Sequence, residues 1–173
     1  FNQDVGYSGV RFSGIDWARL DNLNIGANVI NDTIVPAGHT FSLSDRAGPL
    51  TGSATALYKN GGYMPGQNEV GPGDITGVNS GVDLLATAVL AAAYDAGLPI
   101  VQRTHYPYLN AFAPPGLDVM VTYGKKHGPD LIFRNTTDHP ILLMTSNDGA
   151  GGVGVYIFNS AGYAPSHQRT QLE

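Results

Sequence analysis

Cysteine is absent from the 173-residue chain. That absence excludes disulfides, thiolate metal sites and a cysteine nucleophile, and it leaves the compartment open because secreted domains often lack cysteine. Charge is scarce as well. Charged residues make up 13% of the chain, about half the usual share, and the net charge is −5. No basic cluster exceeds Lys125-Lys126, which argues against a nucleic-acid or anionic-membrane partner. The longest apolar run, roughly 15 residues, falls short of the ~20 needed to cross a bilayer, so no membrane span is expected. His39, His105, His127, His139 and His167 show no i, i+4 pair and no H-E-x-x-H spacing, so neither a metal site nor a cofactor is expected. Ser42 and Ser44 lack the G-x-S-x-G pattern of a serine-hydrolase elbow.

What is present points to an ordered, turn-rich domain. Hydrophobic residues make up 42% of the chain, with 23 glycines and 11 prolines. Low charge with ample apolar content is the opposite of the disordered signature, so the glycines serve tight turns rather than flexible linkers. The length suits one domain that buries most of what its unfolded chain exposes. Its first residue is Phe1 rather than Met, which reads as a processed chain or a fragment.

Residues 79–97 hold the one long apolar run. Val82, Leu84, Leu85, Ala88, Val89, Ala91, Ala92, Ala93 and Ala96 leave hardly any polar face, which predicts a helix buried on all sides. Its many alanines favour helix and let neighbours approach closely. Ser80 and Asp83 stand at capping-box spacing at its start, with Gly97 and Pro99 as the stop.

Before this run, Phe1, Val5, Tyr7, Val10 and Phe12 alternate loosely over residues 1–14, as in an extended arm or edge strand. Trp17, Leu20, Leu23, Ala27 and Ile30 recur at helical spacing, with an interruption expected near Asn24-Ile25-Gly26. Two β-prone runs, 33–35 and 39–43, flank the turn Pro36-Ala37-Gly38. Residues 45–77 are rich in glycine and proline, and a loop so long is usually functional. After the apolar run come residues 100–104, and strands are expected over 118–123, 131–133, 140–144 and 153–158. The last two are joined as a hairpin through Asn147-Asp148-Gly149. The tail, 164–173, is polar.

In order and spacing these motifs resemble the VanW-like family of bacterial cell-envelope proteins. The resemblance spans about residues 23–158. It rests on Asn24-Ile25, Ile30-Asn31, the P-G-x-x-F-S pattern spread over Pro36, Gly38, Phe41 and Ser42, Gly48-Pro49-Leu50-Thr51, Gly62-Tyr63, residues 96–103, Pro114-Pro115-Gly116-Leu117-Asp118, and residues 130–141. The family's G-G-x-C-Q motif would place its Cys and Gln, without gaps, on Asp83 and Leu84, so both are lost here. A histidine that the family often carries falls on Tyr106, with His105 one place earlier, while the Asp of its G-x-D survives as Asp118. If relatives use a Cys-His-Asp set there, this chain has lost the nucleophile, and an aspartate cannot replace a thiolate in acyl transfer.

The fold expected is α+β: a buried central helix packed on a mainly antiparallel sheet, with an N-terminal helical segment and long Gly/Pro-rich loops. Residues 1–22 read as an arm leading into the helical segment, 23–160 as the VanW-like domain and 161–173 as a tail. The leading functional reading is a non-catalytic extracellular or envelope domain with a binding or structural role and cell-wall glycan as a partner. Arg103, Tyr106 and Tyr108 are its candidate binding residues. A second reading is self-assembly into a surface structure through Phe1, Val5, Tyr7, Val10 and Phe12. The third is a glycan- or peptidoglycan-acting enzyme using Asp83, His105 and Asp118, against the simpler view of Asp83 as a helix cap.

Overall fold

The computed structural model describes residues 1, 3–47, 81–107, 113–121 and 128–160. In chain order the elements are β1 (Gln3–Arg11), α1 (Trp17–Ile30), β2 (Thr33–Val35), β3 (Thr40–Ser42), α2 (Leu43–Ala47), α3 (Val82–Asp95), β4 (Ile100–Arg103), β5 (Leu131–Arg134), β6 (Ile141–Asn147) and β7 (Gly152–Asn159). The strands form two antiparallel sheets, one of order β1-β7-β6-β2 and one of order β3-β5-β4. The fold is therefore α+β.

α3 is the centre of the molecule. From Val82 to Ala93 every residue but Ala91 is buried, and the helix packs on β1, β7, β5 and α1. The alanines act as read from the sequence. Gly6 of β1 comes so close that a side chain there would collide with the Ala92 carbonyl and the Ala96 methyl. The helix stops as the glycine implies: Gly97 takes φ +67°, its amide donates to Tyr94 O (3.0 Å), and the Leu98 amide donates to Ala93 O (2.9 Å). This is a Schellman closure, with Leu98 buried beside it.

The other end differs from expectation. The helix starts one residue later than a Ser80 cap implies, with Gly81, which has no side chain to cap with, at the cap position in a left-handed conformation (φ 101°). A Cβ on Gly81 would strike the backbone of Arg19, so the close approach of α1 dictates this residue. Ser80 lies outside the described residues.

α1 corrects a second expectation. It runs unbroken through Asn24, Ile25 and Gly26 for 14 residues. Gly26 is a contact point rather than a break, because a Cβ there would sit 3.0 Å from Leu85 of α3. Its buried face keeps Leu23, Ala27 and Ile30 of the expected stripe and departs from it only at the start. Arg19, Asn22, Leu23, Gly26, Ala27 and Ile30 point inward, while Trp17 is 69% exposed.

The two short runs around the Pro36 turn do form strands, but they do not pair with each other. β2 joins β6 and β3 joins β5, so the turn crosses from one sheet to the other. Asn135 holds it there: its side-chain amide donates to Val35 O (3.0 Å) and His139 O (2.9 Å), and its amide donates to His39 O (2.8 Å). Residue 43 opens α2 instead of extending the strand. Ser42 caps that helix by accepting the Asp45 amide (3.2 Å) and donates its own hydroxyl to the buried Asp130 (2.6 Å). The β6–β7 hairpin stands where the sequence places it. The strand expected over 118–123 does not form across its described part, 118–121. Val119 and Val121 do point into the core, and one backbone bond, Met120 N to Thr104 O (2.7 Å), ties the segment down. The Gly/Pro-rich passage beyond residue 47 and the tail lie outside the described residues.

Candidate functional site

A carboxylate in the first turn of a buried helix must find partners or forfeit its hydration. Asp83, 6% exposed, finds three. One oxygen accepts the Gly81 amide (2.8 Å), two residues back, which makes Asp83 a cap acting from inside the helix. The other oxygen accepts the Tyr106 hydroxyl (3.0 Å) and lies 3.6 Å from the guanidinium of Arg19, itself only 3% exposed. The positive end of the helix dipole adds to the stabilisation of that charge.

Tyr106 extends the network. Its backbone amide donates to Asp118 Oδ2 (2.7 Å), so a single residue bridges the two aspartates. Arg103, at the end of β4, holds Asp118 twice, from Nη2 to Oδ1 (3.0 Å) and from Nε to its carbonyl (3.0 Å). Four of the residues picked from the sequence, Asp83, Arg103, Tyr106 and Asp118, thus converge. His105 does not join them. It is exposed, and its Nδ1 contacts the Tyr106 carbonyl at 2.8 Å. Tyr108 lies outside the described residues.

Arg19 is the member that sequence reading missed. A lone arginine in a helix reads as solvated, although Arg19 stands four residues before Leu23, on the stripe that the sequence marks as buried. The pair Asp130–Ser42 was missed for the same kind of reason. It joins residues 88 apart in the chain, and Asp130 also accepts the Ser44 and Leu131 amides (2.9 and 2.7 Å).

The candidate assembly residues sit in their own sheet. β1 pairs antiparallel with β7 from Gln3↔Asn159 to Arg11↔Gly152, with a bulge between Asp4 and Gly6. Val5 and Phe12 are buried, Val10 packs against the core, and Phe1 and Tyr7 are exposed. β1 is an edge strand, yet the Tyr7 amide donates to Asp95 at the end of α3 (2.9 Å). A bulge and a side chain that occupies an edge amide both blunt strand addition.

Among the described residues no group of three or more His, Asp or Glu could hold a metal ion, and no helix is long and apolar enough to cross a membrane. One carboxylate titrates far from its usual range. Asp148, in the β6–β7 turn, is lowered to about 2, first by the Ala150 amide, then by the Gly152 amide and Arg11.

Two antiparallel sheets around an alanine-rich helix, with an aspartate-centred network at that helix's start, define a class of α+β domain that comparison with known proteins assigns. The VanW-like protein family model matches residues 18–157, and the chain belongs to that family. It is also similar to the uncharacterized protein YoaR of Bacillus subtilis (strain 168), 29% identical over 159 residues. That match covers 91% of this chain and 48% of the relative, so the chain spans about half the relative's length. No solved structure matches it.

Proposed function

We propose that the domain works without catalysis, as an extracellular or cell-envelope module that binds or organises its surroundings, with cell-wall glycan as its partner. The observation that carries this reading is the internal use of both candidate carboxylates. A general acid or base must come within hydrogen-bond reach of a substrate proton. Asp83 is spent on Gly81, Tyr106 and Arg19, and Asp118 on Arg103 and Tyr106. His105, the third member of the enzyme reading, has its ring turned to a backbone carbonyl instead of to either aspartate. With no cysteine in the chain, a thiol mechanism has no nucleophile. The network reads as a clamp that fastens the segment after β4 to the start of α3.

Incubation with purified peptidoglycan tests this. The expected result is no released fragment and no change in cross-linking, with the protein recovered in the pellet alongside the insoluble polymer. Turnover that Asp83→Asn abolishes would overturn the non-catalytic reading. Protein left wholly in the supernatant would remove the glycan partner.

A further inference from the structure

Asp95 stands at the wrong end of α3. A helix C-terminus carries the negative end of the dipole and favours a cation, yet the last turn of α3 holds this carboxylate and no basic residue. No cation among the described residues pairs with it. Its hydrogen bond there accepts the Tyr7 amide of β1, 88 residues away in the chain (2.9 Å). A residue that works against its own helix is explained by what it does elsewhere.

The geometry of β1 shows what that is. The Phe12 amide donates to Gly151 O (2.9 Å), and the register with β7 runs without a shift from Gly6↔Ile157 to Arg11↔Gly152. Alternation then turns the amides and carbonyls of Ser8, Val10 and Phe12 toward β7, and those of Tyr7, Gly9 and Arg11 away from it. β1 is the end strand of its sheet, and Tyr7, Gly9 and Arg11 are all exposed. Such a row is a template for another strand. It is also self-complementary. A second β1 laid antiparallel about Gly9 sets each Tyr7 opposite the other copy's Arg11, ring against guanidinium, with no side chain on the axis.

We propose that Asp95 is a gatekeeper that closes the outer edge of β1 to pairing with β1 of a second copy. In that pairing the Tyr7 amide would donate to the second copy's Arg11 carbonyl. Asp95 already holds that amide, and its charge stands where the incoming carbonyl oxygen would have to come. Beside the bulge the Asp4 carboxylate takes the Gly6 amide (3.1 Å), so the pairable row starts at Tyr7 and Asp95 sits on its first amide. Two-fold symmetry repeats the block at both ends of the joint ladder. A foreign strand need not bring an acceptor to Tyr7, so the second copy is the partner that Asp95 excludes most strongly.

Sedimentation velocity over a wide concentration range, joined to amide hydrogen exchange, tests this on the full chain. Wild type, Asp95→Ala, Asp95→Ala with Arg11→Pro, and Asp138→Ala are compared, each with its melt. Alanine relieves the dipole conflict, and proline at position 11 gives up an amide that faces away from β7. Asp138, its side chain 84% exposed, controls for the lost charge. Wild type and Asp138→Ala should remain monomeric, with the Gly9 and Arg11 amides exchanging freely. Asp95→Ala should melt cooperatively and dimerise with concentration, slowing exchange at Gly9 and Arg11 by about tenfold or more. The double variant should return to the monomer. Asp95→Ala that stays monomeric throughout, or that dimerises equally with Arg11→Pro, would overturn the gatekeeper. So would wild type that already pairs through Gly9. An Asp95→Ala chain without a cooperative melt would overturn it too, because the carboxylate would then hold β1 in place instead of guarding its edge.

Discussion

Two arginine–aspartate pairs in this molecule have the same chemistry in opposite surroundings. Arg19 and Asp83 meet at 3.6 Å with their side chains 3% and 7% exposed, while Arg11 and Asp148 pair with side chains 63% and 41% exposed. The first has no water to fall back on, so its members are held by what the fold supplies: a helix amide, a tyrosine hydroxyl and each other. The second keeps its hydration and is held mainly by turn amides. The buried pair therefore specifies how α1, α3 and the segment after β4 fit together, whereas the exposed pair decorates a hairpin that pairs along its whole length without it.

The sharpest way to break that contrast is Asp83→Ala. It removes the carboxylate beside a buried guanidinium and should cost about 3–5 kcal/mol, read as a large drop in melting temperature. A variant that melts like wild type would mean the pair is ornamental. Ala92→Leu comes next. It leaves every charge in place but forces bulk into α3 near its contact with Gly6, so about 1–3 kcal/mol of overpacking is expected. An unchanged melt there would mean that β1 does not rest on the helix. Tyr106→Phe removes only one donor from Asp83 and should cost about 1–2 kcal/mol in denaturant titration. A value matching that of Asp83→Ala would show the hydroxyl, not the arginine, to be the principal partner.

The smallest effect belongs to Asp148. Its folded value of about 2 lies below the ordinary 3.8 of an aspartate. A depressed carboxylate contributes stability that is present above the unfolded value and fades as pH falls through the folded one. The exposed pair should therefore add a slight acid sensitivity between about pH 4 and 2 that Asp148→Asn removes, together with a small loss of stability at pH 7. An NMR titration placing Asp148 near 4 would erase the distinction.

The same contrast explains what could be read from the sequence. The apolar run at 82–96, its glycine stop and the final hairpin were legible because each is a local pattern of period, propensity or turn chemistry. Asp83, Arg103, Tyr106 and Asp118 could be singled out, yet their convergence could not, because it depends on where the chain returns after β4. α1 was misread at its start. Trp17, the largest apolar side chain, anchored the expected stripe, and a buried arginine is invisible to hydropathy until its aspartate is located. Gly26 was read as punctuation because glycine lowers helix propensity, a cost that close packing against Leu85 overrides here. The Pro36 turn was legible as a turn between two β-prone runs; only the sheet order shows that it changes sheets.

The pairing of β1 with β7 has a kinetic meaning. Gln3 lies opposite Asn159, so the first strand of the larger sheet closes against the last, across nearly the whole described chain. Contacts of such separation pay their loop-closure entropy late. While the chain is being made, β1 can rest on α3 but has no strand to pair with until β7 exists. The seam should therefore be the last part to gain protection in refolding, which pulse-labelled hydrogen exchange at the β1 amides would register.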